Sequence, residues 1–417
     1  MPLNILLLTT SFILLITASC AFASEEVTID FEATLEHVEA QLAAGKDDLQ
    51  LIFIYGMLLA ELGRNREAAD AFRKMLTRDP DLLRPRLELA RVLMLAHDYD
   101  SARYHFEQVL AHDVPHEVRT NVLRMLAVIR EESPSFTFMT EFMFDTNPGH
   151  ATSSKEIEID GLVFRLDDDA RASEDTGWRF FFDGRIPFGK PRLWFMRGQF
   201  EHLDYDGKEH DFSYIQLASG RHFPINNQTF TLEAGYHWSF YQHDQLYDGV
   251  VASVNYFRNL RPDLAMRLNF SALQLDYNDY THHDGWQYTP SAELTYVSSS
   301  RSRWLGGIGC TMNRAKESPY SFDQPYVSLR YVREWKGGWI TGLTIKGSRI
   351  KYKDADPFFR TTRIEREIRV EADLLNRKIR IWRFSPNLLV GYIDRSSNLD
   401  FYTWERNYIR MGMSTEF

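Results

Sequence analysis

Residues Thr229–Tyr241 read TFTLEAGYHWSFY, and the fold turns on how those side chains alternate. Phe230, Leu232, Ala234, Tyr236, Trp238 and Phe240 take one set of positions, and Thr231, Glu233, Gly235, His237, Ser239 and Tyr241 take the other. A period of two belongs to a β-strand whose faces meet different surroundings. One face here suits lipid and the other suits water. The pattern recurs at Leu264, Met266, Leu268, Phe270 and Ala272, set against Arg267, Asn269 and Ser271. It recurs again at Ile364, Ile368, Val370, Ala372 and Leu374, set against Arg363, Glu365, Glu367, Arg369, Glu371 and Asp373, with Arg366 interrupting the apolar row. Strands of a soluble sandwich are shorter and rarely carry this much charge on each polar row, so the alternation points to a transmembrane β-barrel.

Working outward from this stretch, fourteen strand starts are expected, near Ser135, Thr176, Arg192, Asp211, Gln228, Tyr247, Asp263, Gly285, Arg301, Pro325, Gly338, Thr361, Lys378 and Tyr402. Short links fall at 188–190, 225–227, 259–262, 298–300, 335–337 and 375–377; longer polar links at 145–175, 204–210, 278–284 and 353–360 lead to the expectation that long links follow odd-numbered strands throughout. Outer-membrane barrels have short periplasmic turns and longer outer loops, so the first strand should rise from the periplasm and the fourteenth return to it. From Ser135 to the end, 417 − 134 = 283 residues remain, enough for that count. The segment 156–166 (EIEIDGLVFRL) is assigned to the first outer link, because a fifteenth strand would invert the link pattern. Pro386 inside the thirteenth strand suggests a bulge. In the last strand, Ile409, Met411, Met413 and Phe417 share a face. They resemble the C-terminal signal by which barrel assembly machinery recognises its clients.

The material before Pro134 is different. All nine tryptophans lie at or after Trp178, and residues 47–130 are rich in Leu, Ala, Arg and Glu at helical spacing. Gly56, Gly63, Ala68, Phe72 and Pro80 follow the tetratricopeptide pattern, and a shift of about 34 residues gives Ala90, Ala102, Phe106 and, one place late, Pro115. Small residues let the two helices of a repeat cross closely, and the phenylalanine fills the space before the next repeat. Amphipathic helices are expected in front, at 31–44, and behind, at 116–131. Residues 3–23 form an apolar run ending Ala21-Phe22-Ala23 before Glu25-Glu26, which reads as a secretory signal peptide cleaved after Ala23. The expected domains are a signal peptide at 1–23, a periplasmic helical domain at 24–134 and an outer-membrane barrel at 135–417. The fold class is thus α + β multidomain, a short tetratricopeptide-like solenoid followed by a 14-stranded antiparallel barrel.

Composition narrows the function. A net charge of −10 with no basic patch argues against a nucleic-acid partner. Cys20 and Cys310 support neither a disulfide framework nor a thiolate metal site. His237-x-Ser239 places a base near a hydroxyl, as outer-membrane lipid hydrolases do. Yet both share the water-facing row with Glu233, away from the bilayer that such an enzyme would serve. His282-His283-Asp284 and Asp167-Asp168-Asp169 read as solvated link residues. Neither a catalytic site, a metal site nor a cofactor is expected. Glu233, His237, Arg363, Glu365, Glu367, Arg369, Arg406 and Arg410 are candidate lumen residues, for which internal ion pairing and a transport path are equally good explanations.

The order of signal, short repeat domain and C-terminal barrel resembles the surface lipoprotein assembly modulator family of Gram-negative bacteria. Asp145-Thr146-Asn147-Pro148 resembles that family's Asp-x-Asn stretch, and Gly161-Leu162-x-Phe164-x-Leu166 with Gly177 resembles the segment leading to its second strand. Gly149 stands where the family has a second Asn, and the repeat array is short. The resemblance implies a translocator that moves client proteins, surface lipoproteins or secreted haem-binding-type proteins, from the periplasm to the cell surface. It implies periplasmic chaperones, barrel assembly machinery and outer-membrane lipid as partners. A polysaccharide export pore, whose repeat arrays are usually longer, is the alternative; a diffusion porin and a lipid hydrolase follow.

Overall fold

The computed structural model describes residues 30–45, 48–159, 162–189, 193–225, 228–261, 263–299, 301–382 and 384–416. The expected signal peptide, Cys20 and the terminal Phe417 lie outside them. The chain divides into two compact units at Asp113/Val114.

Five helices of the first unit are described: α1 (Phe31–Ala43), α2 (Leu49–Glu61), α3 (Asn65–Arg78), α4 (Leu83–Leu95) and α5 (Tyr99–Leu110). Of the expected packing residues, Gly56 is buried and Ala68, Phe72, Ala90, Ala102 and Phe106 are all at 0% exposure, whereas Gly63 and Pro80 are exposed in the turns that follow α2 and α3 and pack nothing. At Gly56 a Cβ would lie 2.8 Å from the Phe72 ring, so only glycine lets α2 approach α3 this closely. The 34-residue offset also governs the turns. Arg64 N–H donates to Leu59 C=O and Asp98 N–H to Leu93 C=O, and Gly63 and His97 occupy the same left-handed position at φ 74° and 62°. His97 thus holds without glycine the conformation that Gly63 adopts easily.

In the second unit α6 (His116–Glu132) precedes the barrel, and its buried Arg119 lies 3.3 Å from Glu334. Strand β1 (Ser135–Asp145) leads to a small separate hairpin, β2 (Glu156–Ile159) and β3 (Leu162–Arg165). Then come β4 (Asp175–Phe188), β5 (Trp194–Tyr205), β6 (Phe212–Ile225), β7 (Gln228–Tyr241), β8 (Asp244–Arg261) and β9 (Leu264–Tyr277). The remainder are β10 (Gly285–Ser299), β11 (Ser302–Ala315), β12 (Phe322–Glu334), β13 (Trp339–Ala355), β14 (Thr362–Asn376), β15 (Ser385–Ser397) and β16 (Trp404–Glu416). Except for β2 and β3, each pairs with its sequence neighbours, and β1 pairs with β16, closing a barrel of fourteen antiparallel strands. The segment assigned to the first outer link is in that link, as the hairpin. Outward rows carry exposed Leu217, Leu232, Val250, Ile308, Val327 and Leu343. Exposed tryptophans stand nearer the ends, Trp178 and Trp286 at one, Trp194, Trp304 and Trp339 at the other, as the aromatic girdles of a membrane barrel do.

Three details of the expected barrel are corrected. The thirteenth barrel strand, β15, begins at Ser385 and not near Lys378, so the short link expected at 375–377 spans 377–384. Lys378, Ile379, Arg380 and Ile381 alternate like a strand, but Ile381 finds only an isolated bridge to Phe384. Pro386 makes no bulge. Its pairing with Met413 is in register, and pairing with β14 starts only at Asn387, so the missing N–H interrupts no ladder there. The link between β7 and β8 is only Gln242-His243, with φ 50° and 73°, so long links do not follow every odd strand. Positive φ at both positions suits a tight hairpin whose twist matches its strands.

Links of six or more residues still occupy most of one end, and the entry to β1 is at the other. In a Cys310→Ser background, cysteine at Asn278 or Phe358 should react with an impermeant thiol reagent on intact cells, and cysteine at Lys336 should not. Labelling at Lys336 alone would mean that the barrel is inverted.

Candidate functional site: the barrel interior

Closure turns the polar row of each strand inward. Along β8–β11 that row is mostly small and uncharged, with Gly249, Ser253, Asn269, Ser271, Ser291 and Gly309. Most inward charge lies on the remaining strands, where the groups meet one another.

On β14 the candidates Arg363, Glu365, Glu367 and Arg369 come together. Arg363 Nε is 3.1 Å from Glu365, and its guanidinium lies 3.8 Å from the ring centroids of both Tyr352 and Tyr402. Arg395 of β15 reaches Glu365 at 3.4 Å and Glu367 at 3.1 Å, and Glu367 also meets Arg369 at 3.4 Å. Glu365 and Glu367 are buried. Carboxylates so enclosed persist because guanidinium groups pair with them. A second chain of contacts joins β1, β4, β5 and β15: Arg179 is 2.8 Å from Glu141 and 2.6 Å from Glu201, and Asn387 donates to Glu141.

Arg406 belongs to a third group. Its Nε is 3.0 Å from both oxygens of Asp145 and its Nη2 is 2.5 Å from one, while Tyr205 O–H donates to the same carboxylate at 3.1 Å. Arg406 Nη1 also donates to His150 Nε2 at 2.5 Å, and His150 stacks on Trp404 at 4.6 Å. Lost hydration, then the Arg406 and Arg395 charges, push the His150 pKa down to about 4. It is therefore neutral at pH 7 and free to accept that bond. Arg410 lies over the Tyr408 ring at 5.4 Å.

Glu233 and His237 stand apart, on β7. Glu233 is 4.0 Å from Arg197. His237 lies between the Tyr214 and Tyr247 rings at 5.5 and 5.6 Å, with Nδ1 3.3 Å from Gln216 Oε1. Its described contacts are an amide and two phenol rings. Ile409, Met411 and Met413 share the outward face of β16.

The Asp-x-Asn stretch acquires a physical role. Asn147 is 1% exposed; its Nδ2 donates to the carbonyls of Ala151 and Glu405 at 2.9 and 3.0 Å, and its Oδ1 accepts from Ala151 N–H at 2.9 Å. Thr146 and Asn407 exchange two further bonds, at 2.9 and 2.8 Å. The first link is thereby clasped onto β16, beside the closing pair of strands. Spacing along the chain could not disclose this, because Asn147 and Glu405 are 258 residues apart. Asn147→Ala should cost about 1–3 kcal/mol and lower the temperature at which purified barrel loses its folded gel mobility. Ser153→Ala, in the same link and exposed, should not. Equal melting of both variants would remove the clasp from the account.

Known proteins bear on this geometry. The family model described as surface lipoprotein assembly modifier matches residues 193–417, and a tetratricopeptide repeat model matches 59–120. Surface lipoprotein assembly modifier 1 of Haemophilus influenzae is 23% identical over 395 residues, covering 89% of this chain and 78% of that protein. The protein of the same name from Neisseria meningitidis serogroup B is 20% identical over 401 residues, covering 87% and 75%. A crystal structure of a Pseudomonas aeruginosa FadL homologue aligns with a TM-score of 0.41 at 7% identity, over 74% of this chain and 93% of that one.

Proposed function

The chain belongs to the surface lipoprotein assembly modifier family, and from that membership we propose that it carries client proteins from the periplasm through its outer-membrane barrel to the cell surface. The clients are surface lipoproteins or secreted proteins of haem-binding type, delivered by periplasmic chaperones. The short-link end, where the chain enters β1, faces the periplasm together with the repeats, and the long-link end faces outside.

The observation that carries this reading is the interior itself. Its buried carboxylates are already paired with guanidinium groups, and the β8–β11 wall is mostly small and uncharged. A passage is useful only if its cargo binds weakly enough to leave. A lining whose charges satisfy one another offers little grip to any particular sequence, which suits an extended polypeptide of varied composition. The clasped β1–β16 seam supports passage through the interior. No ATP is present beyond the inner membrane, so direction must come from differential binding at the two ends or from folding outside. The repeats supply the first by holding the client, or the chaperone that brings it, on the periplasmic side.

Deleting the chain and comparing proteins released by protease from intact cells should show one or more exported proteins lost from the surface and retained inside. Loss of surface polysaccharide with the protein profile unchanged would favour a sugar export pore instead. Ala68→Glu with Phe72→Glu, which buries two charges at 0%-exposed positions of the repeat core, should leave the amount of heat-modifiable barrel unchanged. The same variant should lower client display several-fold. Wild-type display would reduce the repeats to a spacer.

A further inference from the structure

The outward row of β13 runs Trp339, Thr341, Leu343, Ile345 and Gly347, then changes to Arg349, Lys351 and Lys353 toward the long-link end. The same level of the neighbouring strands carries Arg314 on β11, Asp323 on β12 and Arg366 on β14, the residue that interrupts its own apolar row. Five cations against one carboxylate leave 5 − 1 = +4 on this outward patch. Asp323 is taken twice, by Arg314 at 2.5 Å and by Lys353. Arg349, Lys351 and Arg366 are exposed, and no ion pair involves them among the described residues.

The register makes the crowding explicit. Arg349 stands directly opposite Arg366 across β13 and β14, and Lys351 opposite Asp323 across β12 and β13. Like charges facing each other across a sheet are destabilising, and cations on the lipid side of a barrel are costly away from the interface. Other strands do the opposite at this end. Their outward rows carry Asp204 on β5, Asp248 on β8, Asp276 on β9, Asp394 on β15 and Glu405 on β16. The excess of cations is confined to one sector. Directly below it, toward the membrane middle, lie exposed Ile308, Val327, Leu343, Ile345 and Ile368.

We infer that the outward face of β11–β14 is a binding site for a phosphorylated glycolipid of the outer leaflet. Its phosphates lie between Arg349, Arg366 and Lys351, and its acyl chains lie along the apolar surface beneath. Guanidinium pairs bind phosphate oxygens in forked geometry and lose less hydration than ammonium groups do. One phosphate between Arg349 and Arg366 converts their repulsion into two charge-assisted contacts. Trp286 of β10, exposed and paired in register with Arg314, offers a ring at the same level for the sugar. This rests on the orientation proposed above, with the long-link end outside.

Full-length protein in detergent, titrated with bisphosphorylated lipid A and read by native mass spectrometry, tests the site. Wild type should retain that lipid about tenfold or more over the same lipid stripped of its phosphates, and Arg349→Gln with Arg366→Gln should remove the preference, two charged hydrogen-bond donors being lost. Gel mobility before and after heating shows whether the variant barrel is folded. If it is not, Lys351→Gln and the comparison of lipids on wild type carry the test. Equal retention of both lipids, or of lipid A by wild type and folded variant, would overturn the site. Equal competition by phosphatidylglycerol would overturn the glycolipid, and equal competition by inorganic phosphate would overturn a lipid site altogether. Binding in detergent does not depend on orientation, so this result and cysteine labelling on cells fail independently.

Discussion

Backbone N–H and C=O groups in a lipid-crossing strand must find partners on another strand, because hydrocarbon offers none and each orphan costs several kcal/mol. For thirteen of the fourteen junctions here the partner is the next barrel strand in sequence. The fourteenth joins β1 to β16, from Thr137↔Glu416 to Asp145↔Tyr408 without a register shift. Until that pairing forms, two strand edges are open to lipid. Much of the unusual chemistry in this chain is gathered beside it: Asp145 with Arg406, Asn147 with Glu405 C=O, Thr146 with Asn407, and Glu141 with Asn387. The first outer link and the last two strands are held as one piece.

Closure also decides what each charged residue can do. An inward charge gains a partner across the barrel wall, as Glu365 and Glu367 gain Arg395, and becomes part of a lining that is polar yet largely satisfied. An outward charge stays near the strand end, at headgroup level, where its partners are outward neighbours, as Arg314 and Lys353 are for Asp323. Arg363 and Arg366 are three residues apart on one strand and fall on opposite sides of this rule. Arg363 lies between two tyrosine rings with a carboxylate alongside, whereas Arg366 faces Arg349 and the membrane.

The barrel and its faces were legible because lipid and water impose a period of two, and Thr229–Tyr241 shows it without interruption. The repeats were legible because close helix crossing demands small residues at fixed offsets, as Gly56 against Phe72 demonstrates. What misled was local alternation with no neighbouring strand to use it, as in Lys378–Ile381. What stayed hidden was pairing at long range. In β4 the run Phe180-Phe181-Phe182 blurs the two faces, so Arg179 did not stand out as an inward residue, although it holds Glu141 and Glu201. Asn147 carries no local signal of its role, since its partner Glu405 lies across the seam.

The central claim is that the client crosses through a barrel that remains closed. Thr140 and Met413 face each other across β1 and β16 on the outward side. Cysteines at both positions, in a Cys310→Ser background, should form a disulfide on oxidation in cells and lock the seam. Client display should then continue at the wild-type rate. Display that stops on oxidation and returns on reduction would contradict the claim, and would mean that the client leaves through the side of the barrel.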